Sequence, residues 1–178
     1  MSTTVVFETH ALTVDNERGM ATGWLPGKLS AAGWENARSL GERRRNDGVA
    51  AVFTSDLGRA VETAMLAFAG TGIPVLHDWR LRECDYGEWN GAPVTQVHDA
   101  RVDHLDTPYP GGESWRDAIA RVTRFFADLA LRWDRARVVV IGHVATRWAF
   151  EHECDGVPLE RLVAAEFVWQ EGWEYEIG

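Results

Sequence analysis

Four short apolar runs, Val5-Val6-Phe7, Ala50-Ala51-Val52-Phe53, Pro74-Val75-Leu76 and Val138-Val139-Val140-Ile141, alternate along this chain with longer stretches of helical spacing. Continuous rather than alternating hydrophobicity, rich in β-branched residues, is what strands covered on both faces require. Helices are expected from Ser30 to about Arg45, with Trp34, Ala37, Leu40 and Gly41 on one side, and from Asp56 to Gly70, with Leu57, Ala60, Val61, Ala64 and Phe68. Ser30 and Ser55 are suited to cap them. A third helix opens at Ser114 with Asp117 three residues on, a capping-box-like start, and repeats Trp115, Ile119, Val122, Phe126, Leu129 and Trp133 at helical intervals. The alternation predicts an α/β fold: a three-layer α/β/α sandwich on a mostly parallel central sheet with right-handed crossovers.

A length of 178 residues predicts a single domain over 1–178 with its own core. Pro108, Pro110, Gly111 and Gly112 mark an irregular connection, and a lid-like insertion is expected around 84–113. The formal charge of −9 opposes nucleic acid and anionic membrane as partners. Cys84 and Cys154 stand far apart, outside any metal-ligand spacing. No metal or cofactor is therefore expected, and a reduced, cytoplasmic setting is. The absence of a leader-like start or a long apolar run argues the same way. The oligomeric state stays open, a homodimer being one option.

In sheets of this kind ligands bind beyond the carboxyl ends of the strands. His10 follows the first apolar run and His143 the last. Asn16 and Thr22-Gly23-Trp24 come at fixed intervals after His10; Ser55-Asp56-Leu57-Gly58-Arg59-Ala60 follows the second run. Leu81-Arg82-Glu83 leads to Tyr86-Gly87 and Trp89-Asn90-Gly91, and Pro110-Gly111-Gly112-Glu113-Ser114 opens the long helix. In this order the blocks resemble the histidine phosphatase superfamily, in its phosphoglycerate mutase-like and α-ribazole phosphatase-like branch, from about Val5 to about Trp148.

The resemblance implies His10 as nucleophile, Arg59 as phosphate ligand, Glu83 as the acid and His143 as the second catalytic histidine. Asn16, Thr22, Gly23 and Thr9 are the implied substrate-binding positions, and the implied partner is a small-molecule phosphate ester. The chemistry is coherent. A neutral imidazole can attack phosphorus in line, while Arg59, His143 in its protonated form and Asn16 stabilise the equatorial oxygens and Glu83 manages the proton.

The chain also departs from the family. Thr9 stands where the nucleophile motif has Arg, Ala11 where it has Gly, and Glu8 places a further acid near the site. Arg18 and Lys28 are candidates to fill the charge gap, and Arg147 falls one position earlier than the Arg that often follows the second histidine. Cys84-Asp85 after the acid lacks the basic residue of the mutases, which favours hydrolysis. Trp24 and Trp89 are candidates for the pocket mouth, and His77, His98, His104 and His152 are read as surface or packing residues. The expected function is a metal-independent phosphomonoesterase acting through a phosphohistidine at His10. The alternative is a repurposed or inactive member that binds a small molecule or protein, or runs acid–base chemistry on a less charged substrate.

Overall fold

A computed structural model describes residues 2–178. All four apolar runs are strands of one five-stranded sheet: β1 (Thr3–Thr9), β3 (Ala51–Thr54), β4 (Val75–His77) and β6 (Arg137–Gly142). The fifth, β7 (Trp173–Ile177), gives the order β4-β3-β6-β1-β7. The first four strands run parallel; β7 pairs antiparallel along β1. Two-residue strands β2 (Met20–Ala21) and β5 (Ala92–Pro93) pair with each other outside this sheet. β7 was not expected from the sequence, although Trp-Glu-Tyr-Glu-Ile is the alternating pattern of an edge strand with one wet face.

Helices cover both faces: α1 (Val14–Glu17), α2 (Ala31–Arg44), α3 (Gly58–Ala67), α4 (Val94–Asp99), α5 (Trp115–Arg132), α6 (Val144–Asp155) and α7 (Leu159–Ala164). The Ser114–Asp117 capping box forms, and Trp115, Ile119, Val122, Phe126 and Leu129 of α5 are buried. Each such side chain contributes about 1.5–3 kcal/mol of burial. On the other face Leu40 of α2 and Ala64 and Ala67 of α3 pack with Val6, Val52, Val139 and Ile141.

Two local expectations fail. Trp34 is not on the inward face of α2 but half-exposed, its indole N–H donating to Glu62. Ser55 does not cap the following helix, which starts at Gly58 after Leu57 without a side-chain cap; its hydroxyl is engaged elsewhere.

The 84–113 segment carries β5, α4 and short turns across the carboxyl ends of the strands. Val97, Leu105 and Tyr109 bury it against the main core. No described helix is long and apolar enough to cross a membrane.

Candidate active site

The strand register explains how residues 133 apart in sequence meet. Thr9 of β1 pairs with Gly142 of β6, so the next residues, His10 and His143, leave the sheet side by side, their ring centroids 5.1 Å apart. Thr54 of β3 pairs with Ile141, which brings Ser55 alongside as well. Gly142 has no room for a side chain: a Cβ there would stand 2.5 Å from Thr146 Oγ1. That hydroxyl accepts the His143 backbone N–H at 3.1 Å and donates to Leu81 O.

His10 is fixed by a 2.8 Å bond between Nδ1 and the Ala11 carbonyl. A carbonyl only accepts, so Nδ1 carries the proton and Nε2 is the free lone pair. Burial, and then the Arg59 charge, push its pKa down to about 3, so the ring is neutral at physiological pH.

His143 is buried between Ser55 Oγ at 2.7 Å from Nε2 and Arg59 Nη2 at 3.3 Å from Nδ1. A guanidinium only donates, so Nδ1 accepts and Nε2–H donates to Ser55. Burial first, then Arg59 and His10, hold its pKa well below the ordinary value. The protonated His143 expected from the sequence is therefore corrected to a neutral Nε2–H tautomer in this structure. Arg59, 2% exposed, also donates to Leu25 O at 2.7 Å and Gly23 O at 2.8 Å. Gly23 itself is constrained, with φ +54° and a Cβ position 1.9 Å from Asn90 Oδ1.

Glu83 sits before the N-terminus of α6. Its Oε1 accepts the N–H groups of Cys84 (2.9 Å) and Ala145 (3.1 Å), and its Oε2 that of Val144 (3.2 Å). Its own carbonyl takes Trp24 Nε1 at 2.7 Å and Arg121 Nη2 at 3.1 Å. Arg121 further holds the carbonyls of Arg80 and Arg82 and forks onto Glu113. This scaffold was invisible in the sequence, where Arg121 reads as one more helical arginine.

His10, Arg59, Glu83 and His143 line one cavity of about 510 Å³ together with Thr9, Asn16, Thr22 and Gly23. Asn16 also closes the cap of α1, its Oδ1 accepting from Thr13 N–H, and the Thr22 hydroxyl donates to Asp15. Several expectations are corrected here. Arg18 and Lys28 do not line the cavity, and neither do Trp24 and Trp89. Trp24 supports Glu83, while Trp89 packs on His104 and Tyr109. Glu8 does not add an uncompensated charge, because Arg43 and Arg44 of α2 both contact its carboxylate. His98, read as a surface or packing residue, is in the lining, as are Phe167 and Trp169 from the loop before β7. Arg147 stands outside the lining. It stacks on Trp173 and Phe167 and donates to Val168 O, holding that loop in place.

Among the described residues no three His, Cys, Asp or Glu side chains cluster as metal ligands. Both cysteines are free, and burial, the larger cause for each, pushes the Cys84 thiol well up and the Cys154 thiol to about 11. Neither is an activated nucleophile.

A neutral imidazole with one free lone pair, facing a second imidazole and a buried guanidinium at the mouth of a parallel sheet, is equipment for handling a tetrahedral anion. The family assignment agrees: residues 5–167 match the model of the histidine phosphatase superfamily (branch 1), and the chain belongs to that superfamily, whose members are phosphatases and mutases. It is 32% identical over 182 residues to a 2,3-bisphosphoglycerate-dependent phosphoglycerate mutase of Methylobacterium sp. (strain 4-46), covering 93% of this chain and 87% of that one. Among solved structures, Bacillus stearothermophilus YhfR superposes with a TM-score of 0.82 at 27% identity, over 95% of this chain and 88% of the other. A mycobacterial glucosyl-3-phosphoglycerate phosphatase solved with VO3 gives 0.81 at 26% identity, over 92% and 87%.

Proposed function

We propose that the protein is a phosphomonoesterase that cleaves a small phosphorylated metabolite through a phosphohistidine at His10 and needs no metal. The observation that carries this reading is the Nδ1–Ala11 carbonyl bond, which leaves Nε2 unprotonated on a residue that lines the cavity. Attack by Nε2 on phosphorus forms the N–P bond as the P–O bond to the alcohol breaks. The ring becomes cationic with its Nδ1–H still on the Ala11 carbonyl, which spreads that charge. Glu83 is the group placed to pass a proton to the departing alkoxide and, as carboxylate, to take one from the water that attacks phosphorus and releases His10. A phosphoryl group between Arg59 and His143 replaces an Arg–His contact with an anion, which favours a proton on His143 and makes it a donor to the transferring group.

Likeness to both a mutase and a phosphatase is compatible with this chemistry, since the two share the phosphoryl-transfer half-reaction. Hydrolysis is favoured because Cys84-Asp85 follows Glu83 and the Cys84 side chain is buried. The two unpaired cysteines fit a cytoplasmic setting. Turnover of p-nitrophenyl phosphate in EDTA tests the proposal. Activity abolished in His10→Ala supports it; unchanged activity in that variant, or activity lost to EDTA in the wild type, overturns it.

A further inference from the structure

The cavity has a second charged wall that phosphoryl transfer does not use. Asn36, Leu40 and Arg43 lie at i, i+4 and i+7 on α2, one helical face, and all three line the cavity. Arg43 Nη2 stands 3.2 Å from Glu8 Oε2, but Arg44 Nε stands 2.7 Å from Glu8 Oε1. One buried carboxylate therefore faces two guanidiniums. Arg44 has a further acid in Asp47 at 3.3 Å, whereas Arg43 reaches only toward the exposed Glu171 at 3.9 Å. Of the two arginines, Arg43 is the one in the cavity lining.

Arg43 is also under-used. Its Nε is buried with no acceptor in reach, although a guanidinium carries five N–H donors and buried donors are ordinarily paired. The side chain as a whole is partly exposed and lines the cavity, so a ligand acceptor there would meet the accessible part of a guanidinium whose donors are not all paired. The same cavity presents Leu12, Leu40, Val97 and Phe167, so its occupant carries apolar surface too.

We propose that Arg43, assisted by Asn36, is the subsite for a second anionic group on the substrate, a carboxylate or a second phosphoryl. The substrate class is then a phosphomonoester with an apolar body and a further anion. This rests on the His10 reading for the reacting end of the molecule, and only for that end.

Non-hydrolysable phosphonates separate the two. Calorimetry compares benzylphosphonate with its 3- and 4-carboxy derivatives, its phosphono derivatives and the methyl esters of the carboxy derivatives, in which the added group is uncharged. At least one added anion is expected to lower Kd by about tenfold, the range of one charge-assisted bond, and the ester is not. The carboxy and phosphono arms tell which anion the subsite takes. In Arg43→Gln the ratio of the two dissociation constants falls to about one, and in Arg43→Lys, which keeps the charge at Glu8 for folding, it is intermediate. A wild type with no preference for any added anion overturns the subsite, as does a preference that persists in a folded Arg43→Gln. Hydrolysis of phenyl phosphate without the preference would defeat the subsite alone. Preferential phosphonate binding without hydrolysis would defeat the phosphatase reading alone.

Discussion

Arg59→Met removes the guanidinium that connects both halves of the site, and its consequences can be worked out bond by bond. Arg59 donates to Gly23 O, Leu25 O and His143 Nδ1, and is 2% exposed. Loss of one preorganised transition-state donor of this type costs about 3–4 kcal/mol, a fall in kcat of roughly 10²–10³. Two backbone carbonyls lose their donor at the same time, which removes about 1–3 kcal/mol of stability and lowers Tm by some 2–4 °C per kcal/mol in a chain this size. A merely destabilised enzyme would show only the second effect.

The pH profile separates them further. Arg59 is the second cause, after burial, of the low pKa of both His10 and His143. Without it both imidazoles hold protons to higher pH, so neutral His10 is lost sooner on acidification. The acid limb of kcat/KM should therefore move to higher pH in Arg59→Met. The assay is p-nitrophenyl phosphate turnover from pH 4 to 8 with a parallel thermal melt. A folded Arg59→Met variant whose rate stays within tenfold of wild type, with an unmoved acid limb, refutes the assignment of Arg59 to the transferring group.

Two further outcomes follow from the same geometry. His10 has a pKa of about 3 in the folded chain against an ordinary 6.5, so below pH 6.5 the unfolded chain binds the extra proton. Stability present above pH 6.5 is lost progressively toward pH 3, by about 1.4 kcal/mol per pH unit, or about 2 kcal/mol at pH 5. A melt of the wild type should thus drop by roughly 4–8 °C between pH 7 and 5 from this group, and a folded His10→Gln should drop by less; equal drops would contradict the low pKa. Thr9→Arg, which restores the motif residue at a cavity-lining position, should raise kcat/KM by up to 10²–10³ if Arg59 alone now serves the phosphoryl group. No gain would mean that the existing donors already suffice.

Three of the four strands were legible because β1, β3 and β6 lie inside the sheet and must be apolar on both faces, and the long helix because Ser114 and Asp117 announce its start. β4 shares the apolar signal but is an edge strand, with Leu76 exposed, and is not covered on both faces as its sequence suggests. That His10 and His143 each follow an apolar strand was legible, and the family resemblance joined them in one site; that their strands are neighbours is seen only in the structure. What was hidden depends on contacts distant in sequence. Ser55 sits where a helix cap belongs, yet its hydroxyl accepts from a histidine 88 residues away. Glu8 reads as an unfavourable charge until Arg43 and Arg44 fold beside it. His98 lies on a helix of six residues with no periodic signal, and Phe167 and Trp169 reach the cavity from a loop that Arg147 clamps, a role no local pattern announces.

The most direct test is to look for the covalent intermediate. Rapid acid-free quenching during turnover, followed by mass spectrometry of the digested protein, should find one phosphoryl group on His10 and none in His10→Asn. A stoichiometric phosphoryl group on another residue, or steady turnover in His10→Asn, would contradict the account.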